Sequence, residues 1–336
     1  MFIAHFRKNV LFRKIFSYYI NMVRVSKNTV STELPKKVVG IITVPLSPGK
    51  KYYQVCGDSY ISTAHIEWLK DQGLEVLAIP FTTDKHKYYF ERINGLYLPS
   101  GGVFASNSED YYKCCKEFIK LAIEANDNGD YFPIWGGCMG MQQMMIVADG
   151  QDNMALLEQF DSFNNLMLPL LFTDEGVDSN IMSKAKRSDP DYILKLMKED
   201  CTLNNHMMGL SPEKFKKSSQ VDSFYKIVSY NYDRQGRKFV STIEGRKHPF
   251  YGVQWHPERA DNMKYFATFF ANEVNKNRHT ATVPRKDKLQ YKKLNCMTYS
   301  GSIYKNCNFY WHSRTSLHNR KLCSVLNLGT PTNNSV

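Results

Sequence analysis

The chain of 336 residues is long enough for one large domain or two ordinary ones, and its composition, 43% hydrophobic and 23% charged, is that of a globular protein. The formal net charge of +12 lies at the two ends: residues 1–30 carry six basic side chains and no acidic one, residues 274–336 carry +10, and the region between carries −4. This distribution excludes a basic nucleic-acid groove on the central body, and no apolar run approaches the ~18 residues that a membrane span needs.

The two ends of the chain differ from the region between them. Residues 1–34 are predicted to be a basic N-terminal extension and a candidate targeting segment, although Arg7, Lys8, Arg13 and Lys14 interrupt the apolar centre that a signal peptide requires. A poor signal peptide and a transit-like arm both remain open. Because the regular pattern fades after Asn277, residues 35–277 are predicted to form the folded domain and residues 278–336 a basic C-terminal extension.

Apolar strand-like runs alternate with amphipathic helices through the central region. Strands are predicted at 38–44, 75–80, 93–102, 131–135, 239–245 and 250–255, and helices at 62–73, 108–125, 139–150 and 262–275. This alternation with short connections predicts an α/β domain whose sheet is mostly parallel and has helices on both faces. In such open sheets, functional groups gather at the carboxyl ends of the strands.

A tight strand-to-helix turn surrounds Cys138. The stretch GGCMG (136–140) fits the G-x-nucleophile-x-G elbow, in which flanking glycines remove side chains that would collide with a strained nucleophile. The N-terminus of the following helix favours the thiolate form of the cysteine. The amide of Met139 and an amide of the Gly101-Gly102-Val103 turn are candidates for an oxyanion hole.

The stretch WHPE (255–258) offers a base and an orienting group for this thiol. His256 follows a predicted strand, and Glu258 lies two residues further on, across Pro257. Taken singly, a cysteine between glycines is more often a packing point, and a His-Pro-Glu segment is more often a loop. Their common position at the strand ends of one α/β sheet favours a nucleophilic site with Cys138, His256 and Glu258 in that chain order.

The chain contains eight cysteines, and none of them forms a C-x-x-C pair. They are too dilute for a disulfide scaffold and do not have the spacing of a zinc site. The sequence therefore predicts no metal site and no cofactor, and it leaves the pairing of the cysteines open.

Several of these stretches resemble known families. GGCMG together with GVQWHPE resembles the class I glutamine amidotransferase superfamily, whose Cys–His–Glu triad has these motifs in this order. INGLYLPSGG, LNNHMMGLSP and FVSTIEGRKHPFYGVQWHPE resemble the γ-glutamyl hydrolases, over roughly residues 36 to 277. The resemblance implies a flavodoxin-like, class I glutamine amidotransferase-like fold. It also implies a cysteine-dependent omega peptidase acting on folate poly-γ-glutamates, with Cys138 as nucleophile, His256 as general base and acid, and Glu258 as third member.

The same resemblance implies that His206 of LNNH lines the site and that a homodimer is compatible with the family. It also implies that the protein is secreted, lysosomal or vacuolar, although the sequence alone also allows a cytoplasmic protein. Two positions depart from the family: Gly137 stands where threonine is often found, and Gln142 stands where glutamate is often found. A glutaminase-type amidotransferase subunit and a catalytically silent binding module remain alternatives. For a polyanionic substrate, Arg259 and the Arg246–Lys247 pair are candidate local cations.

Overall fold

A computed structural model describes residues 36–46, 58–102, 105–150, 154–297 and 303–312. The described residues from Lys37 onward form one compact unit. The predicted N-terminal extension, residues 1–34, lies outside the described residues.

The described part of the chain contains fourteen strands, and their bounds follow the chain: β1 (Val38–Ile42), β2 (Val44–Pro45), β3 (Ser59–Ser62), β4 (Glu75–Ile79), β5 (Gly95–Leu98), β6 (Ile134–Gly137), β7 (Glu158–Leu168), β8 (Leu171–Phe172), β9 (Thr202–Gly209), β10 (Tyr225–Tyr232), β11 (Lys238–Gly245), β12 (Phe250–Val253), β13 (Gln290–Met297) and β14 (Ile303–Trp311).

The same residues contain ten α-helices: α1 (Thr63–Lys70), α2 (His86–Phe90), α3 (Ala105–Asp127), α4 (Met139–Asp149), α5 (Asp174–Val177), α6 (Asn180–Ser188), α7 (Pro190–Lys198), α8 (Pro212–Lys217), α9 (Ser219–Phe224) and α10 (Lys264–Val274). Within these described residues, no helix combines the length and the apolar character that crossing a bilayer requires.

The central sheet has eight strands in the order β4-β1-β5-β6-β12-β11-β10-β8. The first five are parallel to one another, and β11, β10 and β8 continue the sheet in antiparallel fashion. Numbered among themselves, the parallel strands follow the order 2-1-3-4-5, which is that of the flavodoxin-like doubly wound fold. The predicted α/β fold with a mostly parallel sheet is therefore confirmed.

Helices cover both faces of this sheet, because the parallel strands are apolar on both sides. All residues of β5 and β6 are buried, as a strand between two helical layers requires. On one face, α1 and α10 pack around Trp135, whose ring lies 5.5 Å from Trp68 and 5.8 Å from Phe270. On the other face, α3 and α4 bury Phe118 and Met141 against the sheet.

The C-terminal region contains more regular structure than its sequence indicates. β13 and β14 pair in antiparallel fashion, and β14 pairs in turn with β3, with Cys307 opposite Ser62. Together with β2 they form a second sheet of four strands. The expectation that the regular pattern fades after Asn277 is thus wrong for residues 290–297 and 303–311, while the domain boundary at residue 277 stays a prediction.

Candidate active site

Cys138 occupies the turn between β6 and α4 in a strained conformation. Its backbone has φ 49° and ψ −104°, a region that residues other than glycine rarely adopt. The Cys138 amide donates to the carbonyl of Val253 on β12 at 2.6 Å, and its own carbonyl accepts from the amide of Gln142 at 3.1 Å. These two hydrogen bonds hold the thiol, which is almost fully buried, at the carboxyl edge of the parallel strands.

Two glycines beside Cys138 make this turn sterically feasible. A Cβ atom on Gly140 would lie 2.0 Å from the carbonyl oxygen of Leu98, and one on Gly136 would lie 2.5 Å from the sulfur of Met144. No side chain fits at either position without displacing the packing of α4 against β5 and β6. At Gly137 the space is less restricted, since a Cβ atom would meet only the hydroxyl of Tyr97, at 3.3 Å.

His256 and Glu258 form a buried pair at the same edge of the sheet. Nδ1 of His256 lies 2.8 Å from Oε1 of Glu258, and both side chains are almost completely inaccessible to solvent. A short 3₁₀ turn, Pro257–Arg259, sets the spacing of the two groups. The backbone amide of His256 donates to the carbonyl of Leu203 at 2.9 Å, which anchors this segment to β9.

In this pair, the charge of each residue opposes the effect of burial on the pKa of the other. Burial by itself would lower the pKa of His256, but the Glu258 carboxylate and the Cys138 sulfur outweigh that effect and raise it to about 9. Burial would likewise raise the pKa of Glu258, but the charge of His256 outweighs that effect and lowers it to about 2. Nε2 of His256 has no hydrogen-bond partner among the described residues. His256 can therefore take up a proton through Nε2 and keep it near neutral pH.

A pair of glutamines links the thiol to β9. Nε2 of Gln254 donates to the sulfur of Cys138 at 3.4 Å, and Nε2 of Gln142 donates to Oε1 of Gln254 at 3.3 Å. Gln142 also donates to the carbonyl of Met208 at 2.7 Å. A carboxylate could not donate either bond, so the amide at position 142 matches its surroundings. Gln254 is not among the site residues predicted from the sequence, although it lies within the same GVQWHPE stretch.

His206 lies on β9 and its ring is buried against Phe239, at a centroid distance of 4.8 Å. Nδ1 of His206 lies 3.0 Å from the carbonyl of Met208, which can only accept, so Nδ1 carries the proton and Nε2 is an acceptor. Nε2 has no partner among the described residues. Burial, aided by the charge of His256, lowers the pKa of His206 to about 3, so this ring is neutral.

The candidate oxyanion donors lie at two chain segments. Met139 begins α4, and its amide precedes the first intrahelical bond, which Gln142 makes to Cys138. Gly102 follows β5 and is exposed, with open space where a Cβ atom would stand. Val103, the third candidate, lies outside the described residues.

The candidate cations lie at two different edges of the central sheet. Arg246 and Lys247 precede β12 and therefore lie at the sheet edge opposite to Cys138. There Arg246 pairs with Glu175 at 3.3 Å, and Lys247 pairs with Asp127 at 2.5 Å. The suggestion that these two residues bind substrate at the site is wrong. Arg259 does lie at the site, with its Nε 3.8 Å from Oε1 of Glu258.

The other cysteines and acidic groups form no second reactive centre in the residues that the structure describes. Cys114, Cys115 and Cys201 are buried there and are not joined in disulfides, and Cys307 is also buried. The same residues contain no group of three or more His, Cys, Asp or Glu side chains that could hold a metal ion.

Comparison with known proteins places the chain in a family. Residues 37–258 match the Peptidase C26 family. The γ-glutamyl hydrolase B of Dictyostelium discoideum is 30% identical over 288 residues, which is 79% of this chain and 80% of that protein. The human γ-glutamyl hydrolase is 32% identical over 263 residues, or 73% of this chain and 79% of that protein. The chain therefore belongs to the peptidase C26 family.

Proposed function

We propose that the protein is a cysteine-dependent γ-glutamyl hydrolase, an omega peptidase that cleaves γ-linked glutamates from folate poly-γ-glutamates. The observation that carries the proposal is the strained elbow at Cys138, which places a thiol at the strand edge where the buried His256–Glu258 pair lies. Such an arrangement suits acyl transfer through a covalent intermediate. The γ-glutamyl substrate class comes from the curated relatives, and the folate part comes from the resemblance of the sequence motifs.

In the proposed reaction, Nε2 of His256 accepts the proton of the Cys138 thiol. The thiolate attacks the γ-carbonyl carbon, and the amides of Met139 and of the turn at Gly102 and Val103 bind the oxyanion. His256 then donates its proton to the leaving amine, and the carbon–nitrogen bond breaks to leave a thioester on Cys138. A water molecule, deprotonated by His256, attacks the thioester and releases the glutamyl product and the thiol.

The neighbouring groups have supporting roles in this scheme. Glu258 stays ionised and holds Nδ1 of His256, so that Nε2 is free for proton transfer. Gln254 donates to the Cys138 sulfur, which stabilises a negative charge there. His206 lines the substrate site and presents Nε2 as an acceptor for a donor group of the substrate.

The direct test is incubation with pteroyl-penta-γ-glutamate, followed by chromatography of the products. We expect shorter pteroylglutamates and released γ-linked glutamate. An intact substrate in the presence of folded protein would contradict the substrate assignment. Ammonia release from free glutamine, measured in parallel with and without added synthase subunits, distinguishes a glutaminase from the proposed hydrolase.

The cellular location and assembly are proposed on the family resemblance alone. We propose a secreted, lysosomal or vacuolar protein that forms a homodimer. N-terminal sequencing of the mature protein tests the first point, because residues 1–34 should be missing if they form a cleaved targeting segment. Sedimentation at several protein concentrations tests the second.

Glu258→Gln should move the basic limb of the pH profile of kcat/KM to lower pH. The carboxylate offsets the lowering effect of burial and raises the pKa of His256 to about 9. Glutamine keeps the shape of the side chain but has no charge, so only the Cys138 sulfur then opposes burial, and the pKa of His256 should fall below about 9. The wild type should keep its activity until the pH rises through about 9, whereas the activity of the variant should already fall as the pH rises through a lower value. Glu213→Gln, on the exposed side of α8, is the control. An unmoved basic limb would show that Glu258 does not set the charge of His256.

A further inference from the structure

Three buried polar side chains beside Glu258 have no part in the proposed reaction. They are His65 on α1, Tyr97 on β5 and Ser100 in the turn after β5, and each is at most 7% exposed. The hydroxyl of Tyr97 lies 2.9 Å from Nδ1 of His65, and the hydroxyl of Ser100 lies 2.8 Å from Nε2 of His65. The Ser100 hydroxyl also lies 3.4 Å from Oε1 of Glu258. The four residues thus form a continuous chain of polar contacts.

The direction of these hydrogen bonds follows from their end point. The Glu258 carboxylate can only accept, so the hydroxyl of Ser100 donates to it. The oxygen of Ser100 then accepts from Nε2–H of His65, and Nδ1 of His65 accepts from the hydroxyl of Tyr97. The other neutral tautomer of His65 would leave the hydrogen of Tyr97 without an acceptor among these groups. Only the first arrangement uses all three hydrogens, and each of them points along the chain towards Glu258.

His65 takes part in this chain as a neutral ring. Burial lowers its pKa to about 4, which outweighs the attraction of Glu258, and the charges of Arg259 and His256 act in the same direction as burial. Although Nδ1 of His65 lies only 3.7 Å from Oε1 of Glu258, the contact is therefore not an ion pair near neutral pH. His65 therefore links Tyr97 to Ser100 through hydrogen bonds, but as a neutral ring it does not neutralise the Glu258 carboxylate.

We propose that Tyr97, His65 and Ser100 are positioning residues, whose chain of hydrogen bonds ends on Oε1 of Glu258 and holds that oxygen against Nδ1 of His256. The inference rests on the proposed function. Oε2 of Glu258 has no hydrogen-bond partner within the described part of the chain, so the orientation of the carboxylate depends on the contacts of Oε1. A carboxylate that rotates would misalign His256 and slow the proton transfers that pass through it.

The glycine before the nucleophile is consistent with this arrangement. A Cβ atom at Gly137 would approach the hydroxyl of Tyr97 to 3.3 Å, closer than an ordinary contact. A threonine there, as the family often has, would press on the hydroxyl that begins the chain. Gly137 therefore leaves room for the hydrogen bond between Tyr97 and His65. This explains in structural terms why glycine, and not threonine, stands at position 137.

Ser100→Ala, Tyr97→Phe and Ser100→Thr test the proposal on the full chain. Ser100→Ala should lower kcat by on the order of 10-fold with KM unchanged, the scale of one hydrogen bond to a charged group. Tyr97→Phe should have a smaller effect, because it removes the bond furthest from Glu258. Ser100→Thr keeps the hydroxyl and should stay close to the wild type.

A second readout needs no substrate. In protein labelled with ¹⁵N-histidine, the proton of Nδ1 of His256 reports its hydrogen bond to Glu258, and its resonance should move upfield in Ser100→Ala and return in Ser100→Thr. Ser179→Ala is the matched control, since Ser179 is also buried and donates at 2.6 Å to the carbonyl of Gly176, away from the site.

Unchanged kcat and an unmoved resonance in both Ser100→Ala and Tyr97→Phe would overturn the inference. So would a loss confined to KM. If the wild type fails to cleave pteroyl-penta-γ-glutamate, the proposed substrate is wrong, and the resonance still decides the positioning role. If Ser100→Ala does not fold, Tyr97→Phe and Ser100→Thr carry the test.

Discussion

Replacing Cys138 with alanine is expected to abolish cleavage of γ-glutamyl bonds. No other side chain at the site can form the thioester, and removal of a nucleophile from an enzyme of this type lowers kcat by on the order of 10⁶-fold. The variant should still fold, because it removes only the contacts of a single sulfur atom, among them the long hydrogen bond from Gln254 at 3.4 Å. Alanine also retains the small size that the turn needs.

Product chromatography with pteroyl-penta-γ-glutamate measures this loss, and a thermal melt checks the fold. Cys114→Ala provides the matched control, because Cys114 is equally buried but lies on α3 in the hydrophobic core. It should keep its activity. If Cys138→Ala hydrolysed the substrate at a substantial rate while melting normally, the elbow would be a packing turn and the proposed mechanism would be wrong.

The parallel part of the sheet could be predicted from the sequence because its strands are continuous apolar runs. β1, β4, β5 and β12 all lie within predicted segments, β6 overlaps its predicted segment, 131–135, at residues 134–135, and α4 and α10 begin within two residues of their predicted starts. Both faces of these strands are covered by helices, so the hydrophobic signal is strong and uninterrupted. Only the exact bounds differ, as expected at the ends of elements.

Outside this core, β11 is predicted at 239–245 and is observed at Lys238–Gly245, but most of the other strands gave no comparable signal. β7 alternates irregularly between buried and exposed residues, contains two residues with positive φ, Asn164 and Asn165, and pairs with β9 through register shifts. β13 and β14 are rich in lysine, asparagine and tyrosine, and β14 joins the sheet by pairing with β3, which is far away in the sequence. Tertiary pairing creates such strands, and a local pattern does not reveal them.

In the candidate site too, some residues could be predicted from the sequence and others could not. Cys138, His256 and Glu258 stand in short motifs whose chemistry can be interpreted locally. His65 and Tyr97 instead occupy single positions in an amphipathic helix and a buried strand, where the sequence suggests only core packing. Their hydrogen bonds arise because α1 packs over β5 near Glu258. Only the folded structure brings such residues together.

Replacing His256 with alanine should be nearly as damaging as the loss of Cys138. Every proton transfer of the proposed reaction passes through Nε2 of His256, and general acid–base assistance is typically worth about 10²–10⁴-fold. The loss of thiolate activation adds to this figure. Glu258→Ala should be milder, because the carboxylate orients His256 but transfers no proton.

The measurement is kcat for Cys138→Ala, His256→Ala and Glu258→Ala, with thermal melts of each variant. His248→Ala is the matched control, since His248 is also buried and bound to a carboxylate, that of Asp127 at 2.9 Å, but precedes β12 at the opposite edge of the sheet. It should retain activity. The expected order of loss is Cys138 first, His256 close behind and Glu258 last. If His256→Ala lost less activity than Glu258→Ala while remaining folded, proton transfer would have to run through another group, and His206, with its free Nε2 acceptor, would be the first to test.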